Sequence, residues 1–384
     1  MPGGDRRIEA FDGLRGVAAF MVLIYHYFCL AHPRWTASMS TDPRAVVDTP
    51  VYLLWNGAFA VALFFVLSGY VMAAAARRRR SSLMANTAAR YLRLAVPAAA
   101  SCVLAWIWLS MVPGAADTMA DSVDHTSRWL DFTYQDDVKT PVIALADGMG
   151  AVFVRGYSRF NNVLWTMKIE LFGSLAVFAL YFLTSGRLRL ILLGLGTVVL
   201  PPLTEPSYIA FGLGAGLYEA HRSGLLARLD RIPALGPVVL LVAVALAFPG
   251  DGFHIRESLP RVAEDWQVGE HRGYLHVIAG TLLILAVIQI RALRVLFGLG
   301  VAQWLGRMSF SLYLVHVPLL YTFGAWLFVE SEVPSPVIAV LFIACSLLLA
   351  MVFERFIDRP LIATLPRFRR SFDKRTGLGP AAQS

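Results

Sequence analysis

Arg15 and His26 stand in one apolar run, DGLRGVAAFMVLIYHYF (residues 12–28). An ionisable side chain in such a run is costly and is first read as a functional group. Eleven residues at about 100° each fall within ~20° of three full turns, so both lie on one helix face, ~16 Å apart along the axis. With the N-terminus in the cytoplasm, Arg15 is at the inner mouth and His26 in the outer half. Together they can touch two ends of one long ligand. The plainer alternative has Arg15 reaching lipid phosphate and His26 bonded to a carbonyl in the core.

Two other segments bring polar groups to similar depth. In NNVLWTMKIELFGS (161–174), Trp165, Lys168 and Glu170 enter from the outer side. Lys168 and Glu170 are about 200° apart and do not share a face. Glu170 falls ~12 Å below the outer surface, near the level of His26. GRMSFSLYLVHVP (306–318) carries Ser309, Ser311 and Tyr313 and places His316 near mid-membrane. For Glu170 or His316 alone, an interhelical hydrogen bond explains the residue as well as catalysis does. On the inner side, Ser68, Gly69 and Tyr70 stand a few turns above Arg77–Arg80 in FFVLSGYVMAAAARRRR (64–80). The four arginines read as an anchor for anionic lipid. Arg90 and Arg93 in RYLRLAVP (90–97) share a face, and paired guanidinium groups suit phosphate. The three cysteines show neither metal spacing nor a disulfide framework, and no metal site is expected.

These residues need helices to position them. Of 384 residues, 57% are hydrophobic and 16% charged, against about 25% charged in soluble domains, and the mean hydropathy is +0.60. The expected fold is all-α and polytopic, with ten spans near 14–31, 50–74, 91–112, 162–184, 187–202, 207–220, 233–249, 273–290, 306–328 and 335–354. Basic loops alternate with poor ones, which puts both termini in the cytoplasm and argues against nucleic acid as the reason for the net charge of +8. The segment 141–154 is too short to span and would invert every later loop, so it is expected to be interfacial or re-entrant. The loop near 113–161 sets six aspartates among Trp129, Phe132 and Tyr134, a combination that suits a sugar or simply solvent. One membrane domain (1–360) is expected, followed by a basic, disordered cytoplasmic tail (361–384).

Taken together, DGLRG with its R-x10-H spacing, LFFVLSGY (63–70), RYLRLAVP, LWTMKIE (164–170), MSFSLYLVH (308–316) and ERFIDRP (354–360) resemble the acyltransferase-3 family of integral-membrane O-acyltransferases. The blocks run in family order across nearly the whole chain. The resemblance implies acyl transfer from acyl-CoA, with acetyl-CoA the default co-substrate and no permanently bound cofactor. The acceptor would be a hydroxyl of a carbohydrate, a lipid-linked sugar or a secreted small molecule. It makes His26 the catalytic histidine, as general base or transient acyl carrier, with Glu170 to orient or stabilise the imidazolium. Arg15, Arg90 and Arg93, with Ser68 and Tyr70, are expected on the acyl donor. Asp12, Trp165, Lys168, Ser309, Tyr313 and His316 are expected to bind substrate or hold the site. Lys168 is not a general feature of the tryptophan block. Many members carry a fused extracytoplasmic SGNH domain. None is evident here, so the chain is expected to act alone or with a separate extracytoplasmic partner, in the cytoplasmic membrane. A flippase for a lipid-linked saccharide and a structural envelope subunit are the rival classes. Internal repeats would favour transport, and none is evident.

Overall fold

The computed structural model describes residues 9–36, 46, 49–78, 81–122, 140–199, 205–229, 231–232, 234–247 and 268–377. Among these, the regular elements are helical. They are α1 (Glu9–Ala31), α2 (Gly57–Arg77), α3 (Leu83–Met111), α4 (Ala115–Ser122), α5 (Pro141–Ala146) and α6 (Val152–Arg155), then α7 (Trp165–Leu183), α8 (Gly186–Val199), α9 (Pro206–Arg222), α10 (Leu225–Leu229) and α11 (Leu235–Ala247). The last third holds α12 (Val268–Gln289), α13 (Arg291–Gly298), α14 (Gly300–Leu319), α15 (Ala325–Glu330), α16 (Ser335–Phe353) and α17 (Arg359–Thr376). Asn56 starts α2 by accepting from the Phe59 amide at 3.1 Å, and Ser82 starts α3 by accepting from Ala85 at 3.1 Å. Each satisfies an amide that the helix itself leaves without an acceptor.

The central contact joins α1 to α14, and glycine makes it possible. A Cβ on Gly16 would stand 2.4 Å from the Gly306 nitrogen, and one on Gly306 would stand 2.2 Å from the Asp12 carbonyl oxygen. The backbones therefore touch where a side chain would hold them apart. Gly69 and Gly214 do the same between α2 and α9.

All ten expected segments are helical, and their directions alternate. Helices α1 and α14 run parallel, since Gly16 meets Gly306 while His26 meets His316. Helix α9 runs parallel to α2, with Phe65 beside Phe211 and Tyr70 beside Tyr218. Helix α8 runs antiparallel to α9, pairing Arg189 with Glu219 and Thr197 with Gly212. Among the described residues, however, fewer than ten helices are long and apolar enough to be independent spans. By length and apolar composition six helices of the described residues qualify, or seven if α12 and α13, bent by 97°, count as one broken span. Helices α8, α9 and α11 have 14, 17 and 13 residues. At 1.5 Å per residue their described lengths fall short of a ~30 Å hydrocarbon layer.

The 141–154 segment is re-entrant in form. Helices α5 and α6, joined by a π turn (Asp147–Ala151), descend α3 with Gly148 against Ala98 and Ala99 and Phe153 against Tyr91. The chain turns at Gly156, whose φ of 79° suits glycine, and returns to Ser158 beside Cys102.

The tail differs from expectation. Residues 359–376 form α17, which docks on the start of α3: Asp373 accepts from the Ser82 amide and hydroxyl. The docking partner was not visible from tail composition, so a basic stretch read as disordered. The acidic and aromatic residues expected at 124–137, the arginines Arg6, Arg7, Arg44, Arg79 and Arg80, and the last seven residues lie outside the described residues.

Candidate active site

His26 and His316, from α1 and α14, meet in the buried core, with His316 Nε2 3.0 Å from His26 Nδ1. The proton positions follow from their neighbours. His316 Nδ1 lies 2.9 Å from the Leu312 carbonyl and His26 Nδ1 lies 3.0 Å from the Val22 carbonyl. A carbonyl can only accept, so each neutral ring carries its proton on Nδ1. His316 Nε2 then accepts from His26 Nδ1–H, and the lone pair of His26 is on Nε2. This assignment rests on the hydrogen-bond pattern. It is the arrangement of a base held in one tautomer by a second group.

Glu170 is not the group that orients His26. It accepts from Ser68 Oγ at 2.7 Å and forms an ion pair with Arg90, whose Nε also donates to Ser174 Oγ at 2.9 Å. The depth estimate from helical rise was too coarse. The Tyr313 hydroxyl donates to the Val163 carbonyl at 3.0 Å and lies 3.1 Å from Thr166 Oγ1, and Glu170 is one more turn along α7, away from His316.

Arg93 is bound to Asp358 through both guanidinium ends, at 2.5 and 3.2 Å, and its guanidinium carbon lies 4.6 Å from the Phe310 ring centroid. Arg15 stands 3.9 Å from Asp12. Arg93 is within electrostatic reach of Arg15 and Arg90, so the three expected arginines are gathered, and each has a carboxylate beside it. Arg15 has the most exposed side chain of the three, at 29% against 14% and 21%.

The other expected residues scatter. The Tyr70 hydroxyl lies 2.5 Å from His221 Nδ1. Trp165 is exposed at the start of α7. Lys168 reaches back to the Val154 carbonyl at 2.9 Å, tying α7 to the re-entrant segment. Ser309 donates to the Gly306 carbonyl within α14. Asp358, in the ERFIDRP block, has no role assigned from the sequence. Two acidic residues, Glu354 and Asp358, at the head of a basic inner stretch were the available signal. Ser174 and His221 gave none.

Six or seven helices of the described residues are long and apolar enough to cross a membrane, and they hold a buried imidazole pair and a group of three arginines, which gives the class as a multi-pass membrane protein. Residues 8–355 match the family described as an acyltransferase domain, and the chain belongs to that family and is an acyltransferase. It is similar to the O-acetyltransferase PaAT-1 of Phomopsis amygdali, 26% identical over 82% of this chain and 72% of that one. It is also similar to the acyltransferase R4 of Phoma sp. (strain ATCC 20986 / MF5453), 25% identical over 94% and 95% of the two chains. The acyltransferase clz18 of Cochliobolus lunatus is 24% identical over 97% of both. No solved structure matches the chain.

Proposed function

We propose that the chain moves an acyl group, acetyl by default, from acyl-CoA to a hydroxyl of a carbohydrate, a lipid-linked sugar or a secreted small molecule, working in the cytoplasmic membrane. The observation that carries this reading is the His26–His316 pair. His26 Nε2 takes the proton of the acceptor hydroxyl as its oxygen attacks the thioester carbonyl. The tetrahedral intermediate collapses, the carbon–sulfur bond breaks, and the same proton passes from Nε2 to the departing thiolate. His316 steadies the transient imidazolium by accepting its Nδ1–H. An alcohol is a weak nucleophile, and a positioned general base contributes about 10²–10⁴ in rate.

Arg15 is the donor-facing arginine in this reading, having the most exposed side chain of the three. Arg90 and Arg93 already pair with Glu170 and Asp358, so a donor phosphate reaches them only by exchange with a carboxylate. That one relative is named an O-acetyltransferase supports an oxygen acceptor and a two-carbon group.

The test uses membranes carrying the protein, labelled acetyl-CoA, and an extract of cell-envelope glycans and secreted metabolites. Label should appear on an acceptor with wild type and vanish with His26→Ala, while bound acetyl-CoA stays the same. Retained turnover in His26→Ala removes the histidine from the chemistry. Vectorial movement of a saccharide with no label transferred supports a flippase instead.

A further inference from the structure

Pro318 stands inside α14, two residues after His316. A proline has no N–H, so the carbonyl four residues earlier, that of Leu314, loses its helical donor. Asn161 fills the gap. Its side chain is fully buried, and Nδ2 donates to the Leu314 carbonyl at 2.8 Å and to Ser101 Oγ at 3.0 Å. Ser101 sends its own proton to the Ala98 carbonyl, so its oxygen is the acceptor. Both amide protons of Asn161 are thereby committed, and the amide cannot be flipped.

The return arm of the re-entrant segment holds Asn161 in place. Ser158 Oγ accepts from the Phe160 and Asn161 amides at 3.2 Å each and donates to buried Asp147. One chain of bonds thus runs from Asp147 through Ser158 and Asn161 to the carbonyl beside the proline, and the next polar group on α14 is His316, which touches His26.

We propose that Asn161 is a positioning residue for the histidine pair: it replaces the hydrogen bond that Pro318 removes and so sets the angle at which α14 presents His316 to His26. This rests on His26 being the base. The re-entrant segment then has a task in the reaction, because it carries the clamp.

The proline supplies a specific rescue. Asn161→Leu keeps the bulk and removes the donor. Adding Pro318→Ala returns a backbone N–H to the Leu314 carbonyl. Membranes are assayed for label transfer from acetyl-CoA to the envelope extract, and in parallel His26 and His316 are probed with diethylpyrocarbonate and read by peptide mass spectrometry. Asn161→Leu should lower kcat roughly tenfold to a hundredfold, the scale of a ~1 Å misplacement. KM for acetyl-CoA should stay unchanged and carbethoxylation of His316 should quicken. Asn161→Leu/Pro318→Ala should recover most of kcat and the slow labelling. Unchanged kcat and labelling in Asn161→Leu overturn the proposal. So does a loss of kcat that Pro318→Ala does not repair while the double variant accumulates normally. If His26→Ala keeps full turnover in the same assay, the base assignment fails instead, and the labelling rates still decide whether Asn161 sets His316.

Discussion

His316 is the residue whose role changed most between sequence and structure. Its helical position put it near the depth of His26, and the three-dimensional contact makes it, beside the Val22 carbonyl, an acceptor of His26 Nδ1–H. His316→Ala takes one acceptor from His26 Nδ1–H and leaves the Val22 carbonyl in place, so transfer should fall by about 10–100-fold, less than the full contribution of a base. Initial rates at saturating acetyl-CoA measure this. Glu170→Ala strands the Arg90 guanidinium in a mostly buried setting, and removing one member of such a pair costs on the order of 3 kcal/mol. The apparent Tm in detergent should drop, and Arg90→Met/Glu170→Leu should recover much of it. The shared face of Arg15 and His26 was legible because eleven residues on one continuous helix fix it whatever surrounds them. The carboxylate partners were not, because Arg90 reaches Glu170 across 80 positions and Arg93 reaches Asp358 across 265, and no local period records such distances.

Among elements, α1 and α14 matter most. Gly16 of DGLRG, read first as part of a motif, lets the two backbones touch, and Gly13 of the same block lets α1 meet the backbone of α13 at Phe297. Gly16→Leu should separate the helices, break the 3.0 Å imidazole contact and abolish transfer even where the protein still inserts. Cysteine cross-linking between α1 and α14 reports the separation. Ten helical segments were legible from hydrophobic runs, and the alternation of basic loops agrees with their alternating directions. The segments that became α8, α9 and α11 were already short in the sequence, at 187–202, 207–220 and 233–249, and counting each as an independent span was the overreach. The docking of α17 was hidden. Asp373→Ala removes an acceptor from the first turn of α3, and loss of such a cap costs about 1 kcal/mol. Limited proteolysis should then release the tail faster while transfer falls only slightly.

At the scale of the whole molecule, both ends of the described chain converge on one core. Helix α17 caps α3, which carries Arg90 and Arg93, and the carboxylate that binds Arg93 lies at the junction of α16 and α17. Removing residues 354–384 deletes Asp358 and Asp373 together. That should collapse activity and sharply reduce accumulation in membranes, whereas removing only 378–384 should leave both near wild type, as read by immunoblot and label transfer.

The separation of the two histidines, 290 positions along the chain, also sets a timetable for biogenesis. At about 5–20 residues per second of synthesis, His316 follows His26 by ~15–60 s. During that interval α1 is already made while its matching helix is still unwritten, and its glycine notch and imidazole must be sheltered by some temporary neighbour. Ribosomes stalled after residue 299 should therefore leave an α1 that membrane proteases recognise as orphaned. A pulse-chase should show such chains cleared quickly, and supplying residues 300–384 as a separate fragment should lengthen their lifetime.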